Sequence, residues 1–353
     1  MNNKQFNNKQ KGVQQMNNLS HIHTDADMTK RELKKGKGVD VSDAQIPNFI
    51  KDSYKLKPNE LFMPELTWKF AVRNVLRGEN ILLVGPAGSA KTMAAHCLVD
   101  ALKRPFFNIP LGSTQDPRAS LIGNTHFSKE KGTYFAESYF VSALRTPNAI
   151  ILLDELSRAH PEAWNILMPV LDKTQRYLRL EEKEDGATVP VAPGVSFVAT
   201  ANIGNEYTST RVLDRALLDR FTIVEVSPLE VEQEAELLKQ RYPKVDVDML
   251  RNVAEISTAT RREAKSDNSV LQTAISTRAA VNVAGLLDDG FTLQEAAECS
   301  IFPFFSNDGG ADSERTYVKQ LVQKYCGDKP KTAEGEDKDK LFTDEDIDSA
   351  GKS

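Results

Sequence analysis

Two short segments carry side chains suited to phosphate chemistry. Residues 85–92 read Gly85-Pro86-Ala87-Gly88-Ser89-Ala90-Lys91-Thr92. Glycines there let backbone N–H groups curl round phosphate oxygens. The lysine neutralises β/γ charge, and the threonine offers a hydroxyl to Mg²⁺ at a helix N-terminus. The usual pattern is GxxxxGK[ST]; here Ala90 replaces the final glycine, and alanine restricts the backbone directly beside the phosphate. The second segment, Ile150-Ile151-Leu152-Leu153-Asp154-Glu155, is an apolar run ending in two acids. In a buried parallel strand, charge belongs at the carboxyl end, where the ligand crevice of such sheets lies. Asp154 is suited to hold Mg²⁺ through water, and Glu155 to polarise the water that attacks a γ-phosphate.

These residues need a scaffold, and the flanking sequence supplies one. Ile81–Val84 is a short apolar run before the glycine-rich turn, and residues 91–103 are compatible with a helix. Further strand-like runs lie at 106–109, 149–153, 195–200 and 222–226. Uninterrupted apolar strands alternating with helices indicate an α/β fold with a parallel sheet covered on both faces. From Pro228 onward helical spacing dominates, as in Val245, Leu250, Val253 and Ile256, then Ala279, Val283 and Leu286–Leu287. The expected organisation is a nucleotide-binding α/β domain over 46–227 and a small all-helical lid over 228–326. Polar tails flank them at 1–45 and 327–353.

With these motifs in place, the chain resembles the AAA+ ATPases over roughly 60–290. It looks most like the MoxR-like branch, which includes the NorQ/CbbQ-type activators and the CobS chelatase motor. The loop with alanine before the lysine is similar to the GxPGxAK form of that branch, which implies that the backbone at Ala90 sits in an alanine-compatible conformation. Asp154-Glu155-Leu156-Ser157-Arg158-Ala159-His160-Pro161 resembles the family's DE-x-x-R-A-x-P, and Phe197–Asn202 resembles the fourth core strand with its sensor-1 residue, Asn202. Leu213–Phe221 resembles the LxxAxxDRF box, whose arginine, Arg220 here, reaches a neighbouring subunit's γ-phosphate; Arg211 and Arg215 compete for that role. Ile275–Ala279 resembles the sensor-2 SxR, with Arg278 as its cation, and Ser276-Thr277 just before it would cap a helix.

The resemblance implies a five-stranded AAA+ core, ATP and Mg²⁺ as ligands, and an ATP-hydrolysing hexameric ring motor in which one subunit completes the next one's site and which remodels or activates a separate client or adaptor protein. That partner is often of von Willebrand factor A type. It also implies two inserted hairpins, which suit residues 125–135 and 173–193. Trp68 and Phe70 are candidates for an adenine pocket, with packing against the sheet as the plainer role. Two other classes compete with the remodelling motor: a nucleic-acid motor of restriction or replication type, and a nucleotide-controlled scaffold without turnover.

Composition narrows the field. The net charge of -5 disfavours a globally basic nucleic-acid binder. Cys97, Cys299 and Cys326 are far apart and odd in number, which argues against a disulfide framework and for a reducing, cytoplasmic setting. No apolar run approaches the roughly 18 residues of a membrane span, and His96, His126 and His160 lack metal-ligand spacing. The first 20 residues hold six Asn and four Gln, and residues 327–353 hold nine acids and five lysines; both ends are expected to stay unfolded. Lys30–Lys37 reads as a solvated linker, and the His21/His23 pair as no metal site.

Overall fold

Each of the five apolar runs becomes a strand of one parallel sheet. The computed structural model describes residues 42–326, apart from 131, 182, 184, 185 and 203–212. Both tails, the basic cluster at 30–37 and Arg211 therefore lie outside the described residues.

Helices α1 (Ile46–Asp52) and α2 (Glu65–Leu76) precede β1 (Ile81–Val84). Next come α3 (Lys91–Leu102), β2 (Phe106–Pro110) and α4 (Pro117–Leu121). A hairpin of β3 (Gly123–Ser128) and β4 (Gly132–Glu137) leads to α5 (Tyr139–Leu144) and β5 (Ile150–Asp154). After α6 (Pro161–Leu171), a second hairpin of β6 (Tyr177–Arg179) and β7 (Thr188–Pro190) leads to β8 (Ser196–Ala201). The short α7 (Arg215–Leu218) and β9 (Thr222–Glu225) complete the sheet-bearing portion. The remainder is helical: α8 (Val231–Arg241), α9 (Val247–Glu263), α10 (Thr277–Asp288), α11 (Leu293–Ser300) and α12 (Glu314–Tyr325).

The sheet order is β2-β5-β8-β1-β9, with every pairing parallel. Because strand side chains alternate, each strand feeds two cores. Leu82, Ile151, Leu153 and Phe197 face one side with Phe140 and Leu167. Ile81, Leu83, Ile150, Leu152 and Val198 face the other with Trp68, Val72 and Leu98. Both faces are covered, which is why these strands read as continuous apolar runs rather than alternating ones.

The helical portion has its own core, drawn from Val253, Ile256, Val283, Leu287, Val318 and Val322. Within this portion Glu234 is fully buried. Arg261 donates to it at 2.6 Å and Ser257 at 2.5 Å. Arg261 also donates to the carbonyls of Leu229 and Ile275, so one guanidinium joins the entry to α8, the body of α9 and the loop before α10. A buried carboxylate is tolerable only with such partners.

Both hairpins form where the alternation around glycine indicated. In the first, Phe135 packs on the sheet core, while Phe127 is 76% exposed.

Candidate functional site

Strand order assembles the site. β5, β8 and β1 are consecutive in the sheet, so the residues that follow their carboxyl ends become neighbours. Those residues are Asp154-Glu155, Asn202 and the 85–92 loop. Most of them open on a cleft of about 590 Å³. Ala87 to Thr92, Asp154, Glu155 and Asn202 line it from the sheet side, and Arg278 from α10.

Within the loop, Gly88 has φ +75°, and a Cβ there would lie 2.7 Å from Cβ of Ser276. A side chain at 88 would thus push the helical portion away. Ser276 caps α10 through the N–H of Ala279, which sets Arg278 in the first turn of that helix. The capping and cleft-lining roles suggested by the sequence therefore coexist.

Ala90 differs from expectation. It sits at φ 64°, ψ 24°, in the left-handed region, where a non-glycine residue is strained by about 1–2 kcal/mol. The backbone at position 90 keeps the conformation that glycine serves in the common motif, and the alanine is held there by its surroundings.

Lys91 is 8% exposed, and its Nζ donates to the carbonyls of Gly85 at 3.0 Å and Pro86 at 2.6 Å. Its pKa is lowered to about 8: burial is the main cause, Asp154 and Glu155 oppose the shift, and the Arg278 guanidinium adds to it.

The acids are held by hydroxyls. Thr92 Oγ1 donates to Asp154 Oδ1 at 3.1 Å, and Thr200 Oγ1 donates to the same oxygen at 2.5 Å. A carboxylate beside a hydroxyl, with oxygen donors only, fits a hard divalent cation such as Mg²⁺. Glu155 adopts φ 57°, ψ 43°, turning its side chain out of the strand direction. Its carboxylate lies 3.4 Å from the Arg158 guanidinium, a half-exposed pair of small energetic weight. A Cβ at Gly112 would lie 2.2 Å from Glu155 Oε2, so position 112 has no room for a larger residue while Glu155 is so placed.

Not every expected residue reaches the cleft. Gly85 meets Lys91 through its carbonyl, and Pro86 lines a second cavity of about 360 Å³ that shares Ala87, Gly88 and Ser89 with the cleft. Arg220 is tied within its own subunit. Its guanidinium donates to the carbonyls of Met168 at 3.1 Å and Ala216 at 2.6 Å, and pairs with Asp172 at 3.2 Å. Arg215, in the first turn of α7, is exposed. Trp68 is buried in the sheet core and donates to the carbonyl of Ser53 at 2.9 Å, and Phe70 is 42% exposed; neither lines the cleft. Its far end is formed instead by Glu60 and Phe62 from the segment before α2, with Leu237, Arg241 and Val281 from the helical portion. No local motif marks these five, because they meet only through the tertiary fold. Thr200 and Ser157 also line the cleft, and within Phe197–Asn202 and Asp154–Pro161 no residue type or spacing singles them out.

Two family models and several relatives match the chain. The model described as AAA domain (dynein-related subfamily) matches residues 80–221, and that described as CbbQ/NirQ/NorQ C-terminal matches 234–323. An uncharacterised protein of Staphylococcus saprophyticus is 28% identical over 59% of this chain and 78% of its own length. BssE of Thauera aromatica, described as a candidate chaperone, is 28% identical over 63% of this chain and 74% of its own. Among solved structures, the RuvB Holliday junction branch migration motor of Thermotoga maritima aligns over 66% of each chain at 17% identity, with a TM-score of 0.41. The two domain models fall on the sheet-bearing and the helical portions respectively, and the chain belongs to the MoxR-like branch of the AAA+ ATPases.

Proposed function

We propose that this chain is a Mg-dependent, ATP-hydrolysing ring motor that remodels or activates a separate client protein. The observation that carries the reading is the convergence of Lys91, Thr92, Asp154, Glu155, Asn202 and Arg278 on one cleft between the sheet edge and the helical portion. Phosphoryl transfer is mostly positioning and charge stabilisation, and these residues are of the types that it needs.

In this reading the loop N–H groups and Lys91 bind the β- and γ-phosphates. Thr92 and Asp154 hold Mg²⁺, which when bound neutralises charge on the phosphate oxygens. Glu155 accepts the proton of the attacking water, Asn202 orients that water, and Arg278 binds the γ-phosphate from the helical side. A trans role for Arg220 requires that it exchange its ties to Met168, Ala216 and Asp172 for the neighbour's phosphate; Arg215, being exposed, would need no such exchange. A hexameric ring supplies that neighbour. The likeness to BssE supports a chaperone-like action; action in metal-cofactor insertion and a von Willebrand factor A-type adaptor are the forms that the family resemblance adds. A cytoplasmic site of action goes with this reading.

Two experiments test it. Calorimetry should show that Lys91→Ala loses nucleotide affinity by about 10–150-fold, the weight of a charge-assisted hydrogen-bonding group; affinity within a few-fold of wild type would remove the phosphate-loop assignment. Capture with Glu155→Gln protein held in Mg-ATP should enrich a defined partner over the Lys91→Ala control. Equal recovery by both would count against a nucleotide-driven client cycle.

A further inference from the structure

Between β5 and β8 the strand pairing ends at Leu153 opposite Ala199. Beyond that pair the chains diverge, because Glu155 turns into the left-handed region while β8 runs on to Ala201. Two buried hydroxyls continue the connection. Thr200 Oγ1 accepts the backbone N–H of Glu155 at 2.9 Å and donates to Asp154 Oδ1 at 2.5 Å. In the other direction, Ser157 Oγ accepts the backbone N–H of Asn202 at 3.3 Å. Thr200 and Ser157 are each 2% exposed.

A hydroxyl both donates and accepts, and Thr200 uses the two capacities on the two members of the acid pair. A β-branched residue suits a strand for packing reasons alone. Packing accounts for the methyl group but not for a pair of bonds to consecutive acids. Valine, of the same shape, would leave the Glu155 N–H without its acceptor and take from Asp154 the nearer of its two hydroxyl donors, with only Thr92 remaining at 3.1 Å. A non-glycine residue in the left-handed region persists where its surroundings fix it, and this bond is one of the constraints at Glu155.

We propose that Thr200 is the positioning residue for both acids, fixing the carboxylate of Asp154 and the backbone turn of Glu155 through one hydroxyl. Ser157 returns the tie to Asn202, so the acid pair and the sensor residue keep their spacing as a unit. The kinetic part of this inference rests on the ATPase reading of the cleft; the binding part needs only that the cleft takes nucleotide with Mg²⁺.

The test uses the full chain as wild type, Thr200→Val and Thr200→Ser. ADP binding is measured by calorimetry with and without MgCl₂, and ATP hydrolysis against Mg²⁺ concentration. Residues that orient metal-holding groups are typically worth about 10–100-fold in metal affinity or activity. Thr200→Val is therefore expected to lose about 10-fold or more of the tightening that Mg²⁺ gives, and about 10–100-fold in kcat, while Mg-free ADP affinity stays within about 3-fold. Thr200→Ser should keep both within about 3-fold of wild type, because serine restores the hydroxyl. Wild-type Mg²⁺ dependence and kcat in Thr200→Val would overturn the proposal. So would a Thr200→Ser protein as impaired as Thr200→Val, since the methyl rather than the hydroxyl would then matter. If Thr200→Val does not fold, Ser157→Ala tests the other half of the clamp: kcat should fall with Mg-assisted ADP binding unchanged, and a wild-type kcat would contradict it. Absence of hydrolysis by wild-type protein would overturn the ATPase reading instead, and ADP binding would still report on Thr200.

Discussion

Thr92 and Asp154 are 62 positions apart in sequence, yet the threonine hydroxyl donates to the carboxylate at 3.1 Å. The contact joins the first turn of α3 to the end of β5. The strand that leads into α3, β1, is not adjacent to β5 in the sheet, because β8 lies between them. The carboxyl edge of a parallel sheet is where such groups can meet, and the bond brings together the two oxygen donors suited to Mg²⁺.

Lys91 gives the cleft a defined pH response. Burial, with Arg278 adding to it, lowers its pKa to about 8, whereas an unfolded lysine titrates near its ordinary value of about 10.4. Between those values the unfolded chain holds the proton and the folded chain has released it, so this group makes stability rise with pH across that window. Nucleotide binding has the opposite sign, because phosphate favours the charged lysine. Affinity should fall as pH rises through about 8. Calorimetry in buffers of different ionisation enthalpy should show proton uptake on binding at about pH 9 and little at about pH 6.5; pH-independent affinity with no uptake would contradict the burial argument.

Ala90→Gly should leave the protein as stable as wild type or slightly more so. Relief of the left-handed alanine gains about 1–2 kcal/mol, and the added freedom of the unfolded chain costs about 0.4–1 kcal/mol. Denaturant unfolding measures the difference. Marked destabilisation would mean that the alanine methyl contributes packing that outweighs its strain.

The arginines near α7 separate by two readouts. Arg220→Ala removes the ties to Met168, Ala216 and Asp172, so its melting temperature should fall. If Arg220 also serves the neighbouring site, turnover should be lost with ATP binding intact, and mixing with Lys91→Ala protein should restore part of it. Arg215→Ala should keep both its melting temperature and its turnover. If Arg215→Ala instead loses turnover at an unchanged melting temperature and is rescued by mixing, the trans role belongs to Arg215.

The readable part of this molecule was the part with local causes. Strand runs such as Ile81–Val84 and Ile150–Leu153 announce themselves because burial on both faces demands continuous apolar sequence. Lys91, Thr92, Asp154 and Glu155 were legible because each sits at the junction of such a strand and a turn. The left-handed backbone at Ala90 was not, since a φ angle held by neighbours has no signature in an alanine. The ties of Arg220 were hidden too, because Met168 and Asp172 belong to another helix and the loop beyond it. Glu60, Phe62 and Arg241 reach the cleft from segments far apart in sequence, and nothing local distinguishes them from ordinary surface residues.

The most direct test of Glu155 as the group that activates water is a paired measurement on Glu155→Gln. The amide keeps the shape of the side chain and loses its capacity as a base. The expected result is Mg-ATP affinity within a few-fold of wild type with steady-state hydrolysis lowered by about 10²–10⁴-fold, the usual contribution of a positioned general base. Hydrolysis at the wild-type rate with binding intact would contradict it.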